Sequence, residues 1–345
     1  MTSPSPNAGA AYRDPSVCPR LNVGGQAVIE GVMMRSPRCL AVAVRRANRE
    51  IVVREQPWKS SFATSIMKIP FLRGGLVLVE SMRNGYEALR FSVQQFELDL
   101  PESERSQDDS GMASRIGVVL ALGFFVALPK LLTWLTGYLT GHPLSLADPR
   151  FHMLAGFFKF AIFVAYISLI RLNSDMLKVF QYHGAEHKAI AAYESGEELT
   201  VANAQRHSTR HARCGTTFLM VVVLVSVAVF AVVLPLILPA NGGFLNVVAS
   251  IFISIPLLFP IAGLSYELQR IGARFSENPL AKLFLYPGYL VQGLSTAEPT
   301  DDQVEIALAA LRVTLTREAE NAPSPDAPVV QTFPDYARLS TEYGL

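Results

Sequence analysis

The chain is 345 residues long, half of them hydrophobic, with 17% charged residues and a formal net charge of +1. Soluble domains average about 25% charged residues, so the composition argues against an ordinary soluble protein, and the near-neutral balance gives no electrostatic basis for nucleic-acid binding. Cys18, Cys39 and Cys214 are odd in number and far apart, which is not a disulfide framework.

Residues 1–20 are polar and Pro/Ser-rich and read as disordered; without a basic start and an apolar stretch they are not a cleaved signal peptide. Residues 21–97 read as a cytoplasmic α+β region. Two apolar runs, Leu40 to Val44 and Ile51 to Val53, flank Asn48 and predict a β-hairpin. The run from Gly24 to Arg35 mixes glycines, apolar residues and one carboxylate, Glu30, and suits a segment that lies on a membrane surface or closes over a site. Residues 61–96 read as helix, broken near Pro70 and Gly74-Gly75. From Leu76, apolar Val79, Met82, Tyr86, Leu89 and Val93 repeat at helical spacing. That pattern fits an interfacial amphipathic helix and equally a helix packed on the cytoplasmic region. Residues 98–113 form an acidic linker.

Four segments, 116–140, 151–172, 216–239 and 244–264, are almost free of charge and near the roughly 20 residues that cross a bilayer. They divide the chain into transmembrane hairpins at 114–172 and 216–267, a His-rich loop at 173–215, a helical region at 268–320 and a disordered tail at 321–345. The fold class expected is an α-helical polytopic membrane protein, four transmembrane helices as two hairpins, with a mixed α+β cytoplasmic region. Of 30 lysines and arginines, Lys130, Arg150 and Lys159 lie within the first hairpin and the rest fall on the side shared by both ends and the 173–215 loop. Arg115, Arg171, Lys178, Arg210, Arg213, Arg270 and Arg274 flank that side, which is therefore cytoplasmic. The expected location is the cell (inner) membrane, and a reducing compartment suits free cysteines. Lys159, within the second span, is placed to snorkel. A helix from about 301 to 318 follows, with Thr300 or Asp301 as its cap.

The chemistry concentrates in the 173–215 loop, which holds four of the six histidines. His183-Gly184-Ala185-Glu186-His187 places two imidazoles four residues apart on one helix face, where one metal ion can bridge them. His-x-x-Glu-His is also the order of inverted zinc peptidases. A divalent ion needs three or four ligands. His211 or Cys214 completes the set, with Glu194 and His207 as alternates, and the 207, 211 and 214 spacing is itself helical. The chain re-enters the membrane at Thr216, so topology already brings residue 214 near residue 183. Glu186 is the general base on a metal-activated water, or alternatively a partner that orients an imidazole. The five-residue match alone is weak, since it arises by chance in many proteins; the clustering in a histidine-poor chain carries it. Glu30, Glu80 and Glu267 are supporting carboxylates in apolar surroundings, although a solvated surface group is the blander reading of each. Arg73-Gly74-Gly75 is too short a pattern to assign to phosphate.

The runs Gly24 to Arg35, Tyr182 to Lys188 and Arg213 to Thr216, with Ser265 to Leu268, Pro287-Gly288, Gln292 and Glu298-Pro299, resemble the YqhQ-like family. This is a bacterial and plastid group of uncharacterised membrane proteins described as predicted metal-dependent enzymes. The resemblance covers roughly 22–318 and implies that fold and a metal-enzyme label, with no substrate. Sequence therefore supports a membrane-bound, metal-dependent hydrolase, zinc being the metal expected, acting on a peptide, a membrane-protein segment or a lipid headgroup. The competing class is a non-enzymatic scaffold or assembly factor with at most a structural metal. A transporter is disfavoured by the few polar groups in the spans, unless homo-oligomerisation builds a pathway.

Overall fold

The computed structural model describes residues 21–58, 62, 66–105, 116–117, 119–239, 243–275, 278–319 and 328–343. The N-terminal stretch 1–20, the second half of the acidic linker (106–113), Arg115 and residues 320–327 of the tail lie outside these. Five strands form one antiparallel sheet in the order β1 (Gly24–Val28), β2 (Gly31–Arg35), β3 (Cys39–Arg45), β4 (Ile51–Pro57) and β5 (Val329–Phe333). The expected hairpin is β3–β4, in register from Cys39 opposite Pro57 to Arg45 opposite Ile51. Its turn is held by Asn48, whose side chain accepts from the Glu50 amide at 3.1 Å. The glycine-rich run is a second hairpin, β1–β2, closed by a two-residue turn with Glu30 at φ 50.

Both faces of the sheet are covered, so its strands read as continuous apolar runs. One face (Val32, Met34, Ala41, Ala43, Ile51, Val53) packs on α4 (Ser174–Ser195) and α9 (Asp301–Ala319). The other (Met33, Leu40, Val42, Val44, Val52) packs on Ala88 and Phe91 of α1 (Leu72–Glu97). Thr300 caps α9 in a reciprocal pair with Gln303: the Thr300 amide donates to Gln303 Oε1 at 2.9 Å and the Gln303 amide donates to Thr300 Oγ1.

Four helices are long and apolar enough to cross a membrane: α2 (Val119–Leu139), α3 (Pro149–Ile170), α6 (Gly215–Ile237) and α7 (Gly243–Arg274). Neighbours in the bundle are α2 with α3, α3 with α6, and α6 with α7. The last runs ten residues past the expected apolar segment, because α1 lies along it. Gly74 and Gly75 do not break α1. They are the points where α1 meets α7, and a Cβ on Gly74 would stand 2.6 Å from Tyr266 Cβ and 2.9 Å from Gly263 Cα. Arg73 pairs with Glu267 at 2.5 Å on the same seam, so Arg73-Gly74-Gly75 is a helix contact rather than a phosphate cradle. The short α5 (Val201–Gln205) follows α4, and α8 (Pro279–Ser295) crosses the ends of α7, α6 and α3, with Leu285 against Gly272, Gly288 against Thr217, and Arg171 donating to the Leu294 carbonyl at 2.6 Å.

Two expectations need correction. The 173–215 segment is not a loop: 22 of its residues are α4, whose small residues Gly184, Ala185, Ala189 and Ala192 let it bury against the sheet. Nor is the described part of the tail, 328–343, disordered: Val329–Phe333 adds to β4 and α10 (Tyr336–Glu342) follows, with Phe333 and Leu339 in the core. Its polar, Pro-rich composition hid a strand whose backbone bonds come from the β4 edge.

Two outcomes are expected. Gly74→Ala forces helix backbones apart and should cost about 1–3 kcal/mol, whereas Gly123→Ala, with nothing within 4 Å, should change stability by less than about 0.5 kcal/mol; thermal unfolding in detergent compares them. Glu318, buried at the end of α9, accepts from Ser36 Oγ at 2.7 Å and from the Arg38 amide at 2.6 Å. Burial acts to raise its pKa, but the Ser36 and Arg38 donors outweigh burial and leave it lowered. A depressed carboxylate stabilises the fold above its unfolded pKa and loses that contribution as pH falls. Glu318→Gln should therefore cost on the order of 1 kcal/mol near neutral pH, and its unfolding midpoint should converge on that of the wild type in acid.

Candidate metal centre

His183 and His187 project from the same face of α4, with ring centroids 4.5 Å apart. Cys214 meets them as the N-cap of α6, its sulfur accepting from the Thr216 amide at 3.4 Å. One donor atom from each of His183, His187 and Cys214 lies within 4.8 Å of the others. A tetrahedral zinc with bonds of 2.0–2.3 Å sets donors about 3.5 Å apart, so the cluster needs only a small contraction to close on an ion.

The imidazoles are oriented for it. His183 Nδ1 bonds the Ser295 carbonyl at 2.8 Å and His187 Nδ1 bonds the Thr209 carbonyl at 2.5 Å. Only a protonated Nδ1 can donate to a carbonyl, so in the neutral rings both Nε2 lone pairs face the centre, the arrangement found behind metal-ligating histidines. His183 Nε2 lies 3.2 Å from the Cys214 sulfur. His187 Nε2 is buried without a hydrogen-bond partner. A buried polar atom left so is costly, and it is the atom an ion would satisfy. Two imidazoles and a thiolate are a zinc-type donor set.

Electrostatics couple the groups. Burial pulls the His183 pKa down, but the Cys214 sulfur and the Glu186 carboxylate outweigh it and leave it raised. Burial pushes the Cys214 thiol up, and the adjacent imidazoles, His183 foremost, bring it well below its ordinary value. His211 is lowered, by burial.

Glu186 is 5% exposed, with Oε2 3.4 Å from His187 Nε2. It occupies space that only a glycine on β1 leaves open: a Cβ on Gly25 would lie 2.6 Å from Glu186 Cγ. The other candidates are placed elsewhere. His211 stands beside His187, rings 5.8 Å apart, but its Nε2 bonds Glu194 at 3.0 Å. Glu194 also pairs with Arg213. His207 faces Glu197 at 3.4 Å. Residues 206–214 are not helical, so the spacing of 207, 211 and 214 does not set those groups on one face. Glu30 binds Lys178 and Tyr182 and docks the β1–β2 turn on α4. Glu80 is buried in α1 near Arg35, and Glu267 is held by Arg73.

Sequence reasoning assigned no role to the residues that hold the frame, although Gln292 is among those that carry the family resemblance. Gln292 clamps both backbone groups of His211, at 2.8 Å each, and donates to Thr217. Gln269 donates to the Cys214 carbonyl at 3.1 Å. Thr209 and Ser295 act through carbonyls, for which no side-chain pattern exists.

A sheet-backed histidine helix joined to a bundle of four long apolar helices defines the class of protein. The family described as "Protein of unknown function (DUF1385)" matches residues 69–317. The chain is 33% identical over 306 residues to the "Uncharacterized protein YqhQ" of Bacillus subtilis (strain 168), covering 86% of this chain and 93% of the relative. It belongs to this YqhQ-like, DUF1385 family of uncharacterised proteins. No solved structure matches it.

The coupling is measurable. In metal-free protein carrying Cys18→Ser, thiolate absorbance should persist to pH values below those of an ordinary cysteine, and His183→Ala should move its onset to higher pH.

Proposed function

We propose that this chain is a multi-pass membrane enzyme with a zinc-type hydrolytic centre at the cytoplasmic membrane surface, its four apolar helices crossing as two hairpins. The observation that carries the reading is the convergence of two Nε2 atoms and one sulfur, each Nδ1 fixed by a backbone carbonyl and His187 Nε2 left without a partner. The excess of lysine and arginine on the side of the centre supports the orientation.

His183, His187 and Cys214 would hold the ion. Three protein ligands leave a fourth position for a reactant, as catalytic rather than structural zinc sites do. When bound, such an ion supplies Lewis-acid polarisation and activates water near neutral pH. Glu186 is the chain's own proton carrier: buried and beside His187 Nε2, it takes a proton from the attacking water and returns it to the leaving group. Ser295 and Thr209 keep the tautomers fixed throughout. The substrate class that fits the position is a membrane-protein segment or a lipid headgroup.

A second reading rests on the 3.2 Å His183–Cys214 contact. Without a metal, Cys214 at a helix N-terminus beside an imidazole is an activated nucleophile.

Purified wild type should carry about one zinc per chain, lost in His187→Ala and in Cys214→Ser. Glu186→Gln should keep the metal and abolish function in vivo. Equal metal content in wild type and His187→Ala overturns the metal reading, and alkylation of Cys214 that zinc does not slow favours the thiol. Unimpaired Glu186→Gln points to a scaffold.

A further inference from the structure

The bundle also holds two amines far from the histidines. Lys130 of α2 is 4% exposed and donates to the Ser250 carbonyl at 2.8 Å and to Ser250 Oγ and Ser254 Oγ at 3.1 and 2.5 Å. Lys159 of α3 does not snorkel outward. It turns into the bundle and donates to Ser226 Oγ at 3.0 Å. Both ammonium groups stand over one ring, Phe230, at 4.9 and 5.4 Å from its centroid. Together with His152, Gly156 and Ser226 they line a cavity of about 20 Å³.

Nothing nearby balances the charge. Among the described residues of the four helices the acidic one is Glu267, which pairs with Arg73. Asp148, just before α3, is held by Arg150 at 2.6 Å. Hydroxyls, one carbonyl and an aromatic face are neutral partners. A cation–π contact offsets only part of the cost of burying each ion. Lys130 has three acceptors for its three protons, while Lys159 has one in Ser226 and retains donors that face the cavity. Ionisable groups inside a membrane bundle commonly mark ion or substrate sites.

We propose that the cavity between α2, α3 and α6 binds one halide-sized anion, with Lys159 donating to it and Lys130 supplying a second positive charge. The space is small, on the order of one or two water-sized groups, which suits a monatomic anion better than a phosphate. Gly156 lets α3 close on α6 beside the cavity, because a side chain there would drive into Val227. The inference rests on the membrane placement proposed above and is independent of the metal.

The test uses full-length protein in detergent with gluconate as the anion, followed by thermal unfolding as chloride or bromide replaces gluconate at constant ionic strength. A saturable rise in Tm is expected in the wild type, absent with sulfate and lost in Lys159→Met. No rise, an equal rise with sulfate, or an unchanged rise in the variant means that water fills the cavity and overturns the proposal. Should Lys159→Met fail to fold, binding of radiolabelled chloride to the wild type decides: one saturable site per chain supports the site, and none refutes it. Zinc content, measured on the same samples, reports separately on the histidine centre.

Discussion

His187 is 1% exposed and carries two ring nitrogens that both demand partners. Thr209 satisfies one through its carbonyl, and the other makes no formed hydrogen bond, with the Glu186 carboxylate 3.4 Å away. This imbalance exists because α4 is enclosed by the sheet, by α9 and by the 206–214 segment that leads back to the apolar bundle. The helix cannot rotate to expose that nitrogen without pulling Ala185 and Ala189 out of the core. The candidate centre is thus a consequence of how deeply one helix is buried.

The same enclosure ties the two halves of the molecule together. On one side Glu186 presses against Gly25 of β1. On the other, His183 reaches Ser295 at the end of α8 and Cys214 at the start of α6. Gln292 and Gln269 then lock the segment around Cys214 to α8 and α7. Polar side chains are costly to bury unless fully hydrogen-bonded, and both glutamines spend their amides on backbone groups that would otherwise be orphaned. A rigid frame of this kind is what a site needs to hold donors in position before a ligand arrives.

The legible parts share one trait: their signal is local and periodic. Hydropathy marked all four long apolar helices, the i, i+4 spacing put His183 and His187 on one face, and the Leu40–Val44 and Ile51–Val53 runs marked a hairpin. What failed depended on distant chain. His211 and Cys214 were equal candidates in sequence, because both lie just before α6. The difference is that His211 is taken by Glu194 whereas Cys214 caps a helix beside His183. Gly74-Gly75 looked like a break because glycine weakens a helix in isolation; contact with Gly263 and Tyr266 reverses that. The β5 strand was invisible because a five-residue edge strand in a Pro-rich tail draws its bonds from a partner nearly 280 residues away.

From sequence alone came the apolar helices, the pairing of two imidazoles, the family and the charge asymmetry, all properties of short windows or of composition. Tertiary structure decided which third donor joins the histidines, where each carboxylate points, and that Lys159 turns inward to share a ring with Lys130. The physical reason is the same in each case. A side chain's ionisation and partners depend on what desolvates it, and desolvation is set by segments that meet only when the chain is folded.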